Sequence, residues 1–129
     1  GTTSAAALGC DATTKTFGYI SHGGVITQNT SKSTGVTLDR VTGEITTSSA
    51  ALAADAAVEF ILTNNTIEDN DILIMNYKDG TGSTLDSAYV LNAVCSNGSA
   101  KISIRNVSTA SRSDAIKIQF AVIKSLITN

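Results

Sequence analysis

The stretch YVLNAVCSNGSAKISIRN, Tyr89 to Asn106, carries the reading on which the fold depends. At its centre Asn97-Gly98 separates two runs of strand-forming residues. A two-residue type I′ turn needs positive φ at both central positions, which Asn-Gly supplies better than most pairs. The pair therefore predicts a hairpin joining the Tyr89 strand directly to the Ile104 strand. In the second run Ile102 and Ile104 fall on one face and Lys101, Ser103 and Arg105 on the other, the period of two of a half-buried strand. The first run, SAYVLNAVC, is apolar on both faces for part of its length. That pattern fits a central strand, or a strand whose outer face meets a neighbour.

The same alternation recurs on both sides of the hairpin. In AVEFILT, Val58, Phe60 and Leu62 share one face; in AIKIQFAVIK, Ile116, Ile118, Phe120 and Val122 form one row opposite Lys117, Gln119 and Ala121. DILIMNY, Asp71 to Tyr77, is again apolar on both sides. STGVTLDRVTGEITTS, Ser33 to Ser48, places two short alternating runs on either side of a charged turn. Turn clusters fall at Asn64 to Asp71, Lys78 to Ser83, Ser96 to Ser99 and Ser108 to Asp114. The chain has no proline and is about a quarter Ser plus Thr, a bias that favours strands at Thr and turns at Ser, Asn and Gly. SSAALAADAA, Ser48 to Ala57, is the one helix-compatible window and is too short to be stable alone, so it reads as a crossover loop that packs Leu52. About eight strands at a spacing near ten residues predict an all-β fold, an antiparallel β-sandwich of jelly-roll-like type.

At 129 residues the chain has the size of one domain. With 42% hydrophobic and 16% charged residues but only 5% aromatic, its core must be built from Ile, Val, Leu and Ala. The organisation expected is a flexible N-terminal arm over residues 1–16, rich in Thr and small residues, and a β-sandwich domain over residues 17–129. A net charge of −2 with scattered basic residues argues against binding nucleic acid, which requires clustered Lys and Arg. No apolar window is long enough to span a membrane. Cys10 and Cys95 do not make a disulfide framework, and both read as free thiols.

The residues that carry chemistry elsewhere are unpartnered here. His22 is the only histidine, and without HxxxH, CxxC or a Cys/His cluster it reads as a solvated turn residue. There is no GxSxG, no P-loop and no GxGxxG. Glu68, Asp69 and Asp71 lack the spacing of a calcium loop and read as a solvated turn, as does Asp79-Gly80. Asn29, Asn64, Asn97 and Asn106 each begin an N-x-S/T triplet, a pattern expected by chance in so Ser/Thr-rich a chain. No catalytic, cofactor-binding or metal-binding residue is therefore assigned, no cofactor is expected, and the chain does not read as an enzyme. Low charge, two-sided apolar strands and a small-residue arm suit permanent packing against other subunits.

The order from Phe17 to Lys124 resembles a group of small tailed-bacteriophage virion proteins, some of them capsid decoration or cement proteins. TQNTSKSTGVTL, the AALAA loop, VEFILTN with the following Ile67 and Asp71, IRNVS and the closing FAVIK carry the likeness. The resemblance implies a jelly-roll sandwich on the outer capsid surface of the virion. It would act as a homotrimer at three-fold or quasi-three-fold positions, clamping the major capsid protein. Cys10 and the long Thr-rich arm have no counterpart in that pattern. The competing readings are a carbohydrate-binding or host-attachment module on a phage surface or tail fibre, with Tyr19, Tyr77 and Tyr89 as a platform, and a small hydrolase built on His22 or a carboxylate pair.

Overall fold

The structure, a computed structural model, describes residues 8–11, 13–14, 16–19, 23–79 and 88–127. Ten strands and no helix occur among them: β1 (Leu8–Asp11), β2 (Thr16–Tyr19), β3 (Gly24–Thr27), β4 (Val36–Thr37), β5 (Thr42–Thr46), β6 (Ala57–Thr63), β7 (Ile72–Asp79), β8 (Tyr89–Ser96), β9 (Ser99–Asn106) and β10 (Lys117–Ile123). Two four-stranded sheets, ordered β3-β5-β10-β7 and β4-β6-β9-β8, face each other as a sandwich, and β1 with β2 makes a separate pair. The arm expected over residues 1–16 thus contains strand β1, while its first seven residues lie outside the described ones.

The alternating runs place their apolar rows inward. Phe60 and Leu62 of β6, Ala100, Ile102 and Ile104 of β9, and Ile118, Phe120 and Val122 of β10 are all buried, together with Ile116 and Ile45. Burying each of these Phe, Leu, Ile and Val side chains contributes about 1.5–3 kcal/mol, so these two sheet interiors hold the fold together. The central strands β9 and β10 bury alternate residues along their whole length, as their periodicity predicts. The crossover loop also behaves as expected. Leu52 is buried, and its backbone N–H and C=O exchange hydrogen bonds with Arg112 at 2.8 and 3.0 Å.

Two expectations need correction. The sheets are mixed and not purely antiparallel, because β3 runs parallel to β5 and β4 parallel to β6. The two runs of STGVTLDRVTGEITTS lie in different sheets, so the charged turn between them carries the chain from one layer of the sandwich to the other. The β8–β9 hairpin forms in the expected register, Ser96 opposite Ser99, but only Gly98 of its turn has positive φ, 82°. A type I′ turn is thereby ruled out. The reason is tertiary: Gly98 N–H donates to Ile67 O (2.9 Å), Gly98 O accepts from Asn64 N–H (2.9 Å), and Asn97 Oδ1 accepts from Asp69 N–H (3.1 Å). The turn is moulded onto the 64–71 loop.

The two-sided apolar runs are edge strands, not central ones. β7 ends one sheet and β8 ends the other, and the two edges lie on the same flank of the sandwich.

Candidate functional site

Three polar clusters and two exposed faces are the places where function could reside. The first cluster surrounds Asp71, which precedes β7. Its carboxylate is almost fully enclosed and accepts from Lys124 Nζ (2.6 Å) and from the backbone N–H groups of Glu68 (2.9 Å) and Ser125 (3.4 Å). Burial pushes this carboxyl up, but the hydrogen bonds from Lys124, Glu68 and Ser125 together outweigh it and hold it below the ordinary Asp range. Lys124 also reaches Thr66 O at 3.0 Å and Glu68 at 3.5 Å. Of the solvated turn expected at Glu68, Asp69 and Asp71, the first two residues are exposed as expected, whereas Asp71 is buried and ties the end of β10 to the start of β7. Among the described residues no group of His, Cys, Asp and Glu could hold a metal ion.

The second cluster lies at the opposite pole. Lys32, only 3% exposed, donates from Nζ to Ser48 O and to Asp114 O (2.7 Å). Burial lowers its pKa against the opposing pull of Asp114. Gln28 braces the same loop, donating to Lys32 O (3.0 Å) and Thr34 O (2.8 Å) and accepting from Ser48 N–H (3.0 Å). Asp114 Oδ2 accepts from Tyr89 OH and Arg112 Nε, both at 2.7 Å. Burial and the Asp114 hydrogen bond raise the Tyr89 phenol well above its usual value. Sequence reasoning missed Lys32, since a lysine among Ser and Thr looks solvated.

The third cluster is a repeated motif. Asn64 follows β6 and Asn106 ends β9; because those strands are antiparallel, the two residues occupy opposite poles. Both are completely buried. Asn64 Oδ1 accepts from the N–H (2.9 Å) and hydroxyl (2.7 Å) of Thr66 while its Nδ2 donates to Arg40 O (2.6 Å). Asn106 Oδ1 does the same with Ser108 (3.0 and 2.6 Å), and its Nδ2 donates to Leu52 O (2.8 Å) and Ala110 O (2.9 Å). Two of the four N-x-S/T triplets are thus Asx turns that anchor distant loops. Every buried side-chain nitrogen or oxygen among the described residues has a hydrogen-bond partner.

His22 and the loop Gly80 to Ser83 lie outside the described residues, as does Gly80 of the Asp79-Gly80 pair. Of the three aromatics expected to form a sugar platform, Tyr89 is buried in the core, Tyr77 is partly buried against it, and Tyr19 donates its hydroxyl to Val122 O. Cys95 is a free thiol whose pKa is raised by burial and by the charge of Asp71, which makes it a poor nucleophile.

The outer face of β3-β5-β10-β7 carries a shallow trough. One depression of about 250 Å³ is floored by Gly23, Gly24, Thr42 and Gly43, and a second of about 140 Å³ by Thr42, Ala121 and Ile74; Gln119 borders both. Lys78 and Glu44 pair across it at 2.5 Å. Beside the trough Ile72 lies opposite Ile123 and Ile74 opposite Ala121, with Ile72, Ile74 and Ile123 exposed. On the other face, charges sit on β6 and β9, with Glu59 against Lys101 and Asp55 against Arg105. Val90 and Val94 of β8 are exposed beside them.

Compared with known proteins, the chain matches no family model, no curated sequence and no solved structure.

Proposed function

We propose that this protein is a structural module that binds the outer surface of a protein shell and stabilises it, in the manner of a bacteriophage capsid decoration protein on its major capsid protein. The observation that carries this reading is the division of labour between side chains. The buried polar groups described are spent on fastening loops to the two poles, while the exposed face of β7 and β10 presents Ile72, Ile74 and Ile123 as a flat apolar patch. A rigid sandwich with a flat apolar face suits adhesion to another folded surface, where area and shape supply affinity. The jelly-roll connectivity and the three-fold ring belong to this reading; the parallel β3–β5 and β4–β6 pairs would be additions to the usual antiparallel pattern.

The test is binding to purified shells. Ile74→Lys, which sets a charge in the middle of the patch, is expected to lower occupancy with the fold intact, and deletion of residues 1–7, which leaves β1 and β2 in place, should lower it further if the arm reaches a neighbouring subunit. Full occupancy by Ile74→Lys would overturn the assignment of this face, and failure of the parent chain to bind any shell would overturn the function.

A further inference from the structure

The β7/β8 flank is where the core ends. The inner row of β9 is sealed, with Ala100, Ile102 and Ile104 fully buried, yet Leu91, Ala93 and Cys95 of β8 and Leu73, Met75 and Tyr77 of β7 are only partly covered. Outward residues of the same strands are more open still: Ile72 is 53%, Ile74 50%, Val90 46% and Val94 62% exposed. Edge strands in stable proteins are normally kept short, charged or interrupted by proline, because an open edge offers its backbone to another strand. β8 has none of these protections. It is eight residues long, it has no proline, and it carries no charge, whereas every other strand of five or more residues has at least one charged side chain.

We infer that β8 is a self-association edge, pairing antiparallel with β8 of a second copy about a two-fold axis through Asn92. The pattern of the strand selects both the occupant and the register. Its outward residues read Val90, Asn92, Val94, and opposed residues in an antiparallel pair must share a face. Only registers centred on a residue meet that condition. Centring on Asn92 sets Val90 against Val94 of the partner copy at both ends and Asn92 against its own counterpart. Centring on Ala93 or Leu91 instead puts a valine against Asn92, losing the favourable pairing of β-branched side chains. On the inner face the same register opposes Leu91 to Ala93, a large residue to a small one, and adds apolar cover to a row that is otherwise half open. No charge meets a like charge anywhere along the eight residues. The product is one continuous eight-stranded sheet across two molecules, joined by an isologous contact in which each β8 takes one partner, so association through this edge stops at two copies.

This contact uses β8 and leaves the Ile72, Ile74 and Ile123 face free, so it stands or falls without any shell present. The experiment is sedimentation equilibrium of the purified chain together with register-specific cross-linking. In a Cys10→Ser, Cys95→Ser background, Asn92→Cys is expected to form a covalent dimer under mild oxidation. Opposed Cα atoms in such a pair lie about 4.5–5.5 Å apart, within disulfide reach. Val90→Cys, which faces Val94, is expected to cross-link far less. Asn92→Lys, which opposes two like charges on the axis, should raise the dimer dissociation constant by up to about fivefold, while Ile61→Lys, on the exposed face of β6, should leave it unchanged. Circular dichroism verifies that each variant is folded. A monomer at every concentration, an oligomer indifferent to Asn92→Lys, or equal cross-linking by Val90→Cys and Asn92→Cys would each overturn the proposal. So would a monomeric chain in which Asn92→Lys weakens binding to shells, since β8 would then serve the shell.

Discussion

Gly43, which opens the second alternating run of Ser33 to Ser48 and lies in β5, is a packing residue. A Cβ there would come within 2.7 Å of both Leu38 and the Phe120 ring, and Phe120 is its cross-strand partner. The missing side chain is what lets a large aromatic fill the core of a protein with few aromatics. Gly43→Ala is expected to destabilise the fold by about 1–3 kcal/mol, the cost of overpacking a tight core, measured by urea denaturation. Asp71 supplies a pH dependence. Its folded pKa lies below the unfolded value, so its contribution to stability is complete above about pH 4 and is lost as pH falls through the folded pKa. Asp71→Asn should therefore flatten the acid limb of a stability-versus-pH curve below pH values of about 4; an unchanged limb would show that the Lys124 lock carries no stability. Neither role was legible locally. A glycine between Thr and Glu, or an aspartate in IEDND, takes its meaning from residues tens of positions away.

At the scale of elements, the runs with strict alternation were readable because one face of each is buried and the other wet. β6, β9 and β10 follow the pattern of their sequences residue by residue. The runs apolar on both faces were ambiguous for a physical reason: a central strand and an edge strand that awaits a neighbour share the same composition. Their location on the β7/β8 flank came only from the pairing of sheets. β5, β6, β9 and β10 each have a strand on both sides, whereas β3 and β4 lie at edges and are four and two residues long. Hydrogen exchange should accordingly be slowest for amides of β9 and β10, opening only with global unfolding, and fastest among the strands of the two sheets for β3 and β4. Protection of β4 equal to that of β9 would contradict this order.

For the molecule as a whole, the expected mode of action is adhesion by an apolar face, and that makes a measurable statement about salt. If Ile72, Ile74 and Ile123 carry the contact with a shell, affinity should change little as ionic strength rises from about 0.01 to 1 M, over which the screening length falls from about 30 to 3 Å. A steep loss of binding with salt would point to Lys78, Glu44 or the charged face of β6 and β9 instead. The sequence by itself determined that the chain is all-β, where its main strands run, which residues of the regular strands point inward and where the Asn97-Gly98 hairpin closes, because period and turn chemistry are local properties. Only the tertiary structure decided that the sheets are mixed, that the hairpin turn is not type I′, that Lys32, Asn64, Asn106 and Asp71 are buried fasteners, and that β7 and β8 leave one flank open. Each of these depends on which distant segments meet, and the free energy of a buried polar group or an exposed edge is set by its neighbours and not by its own residue type.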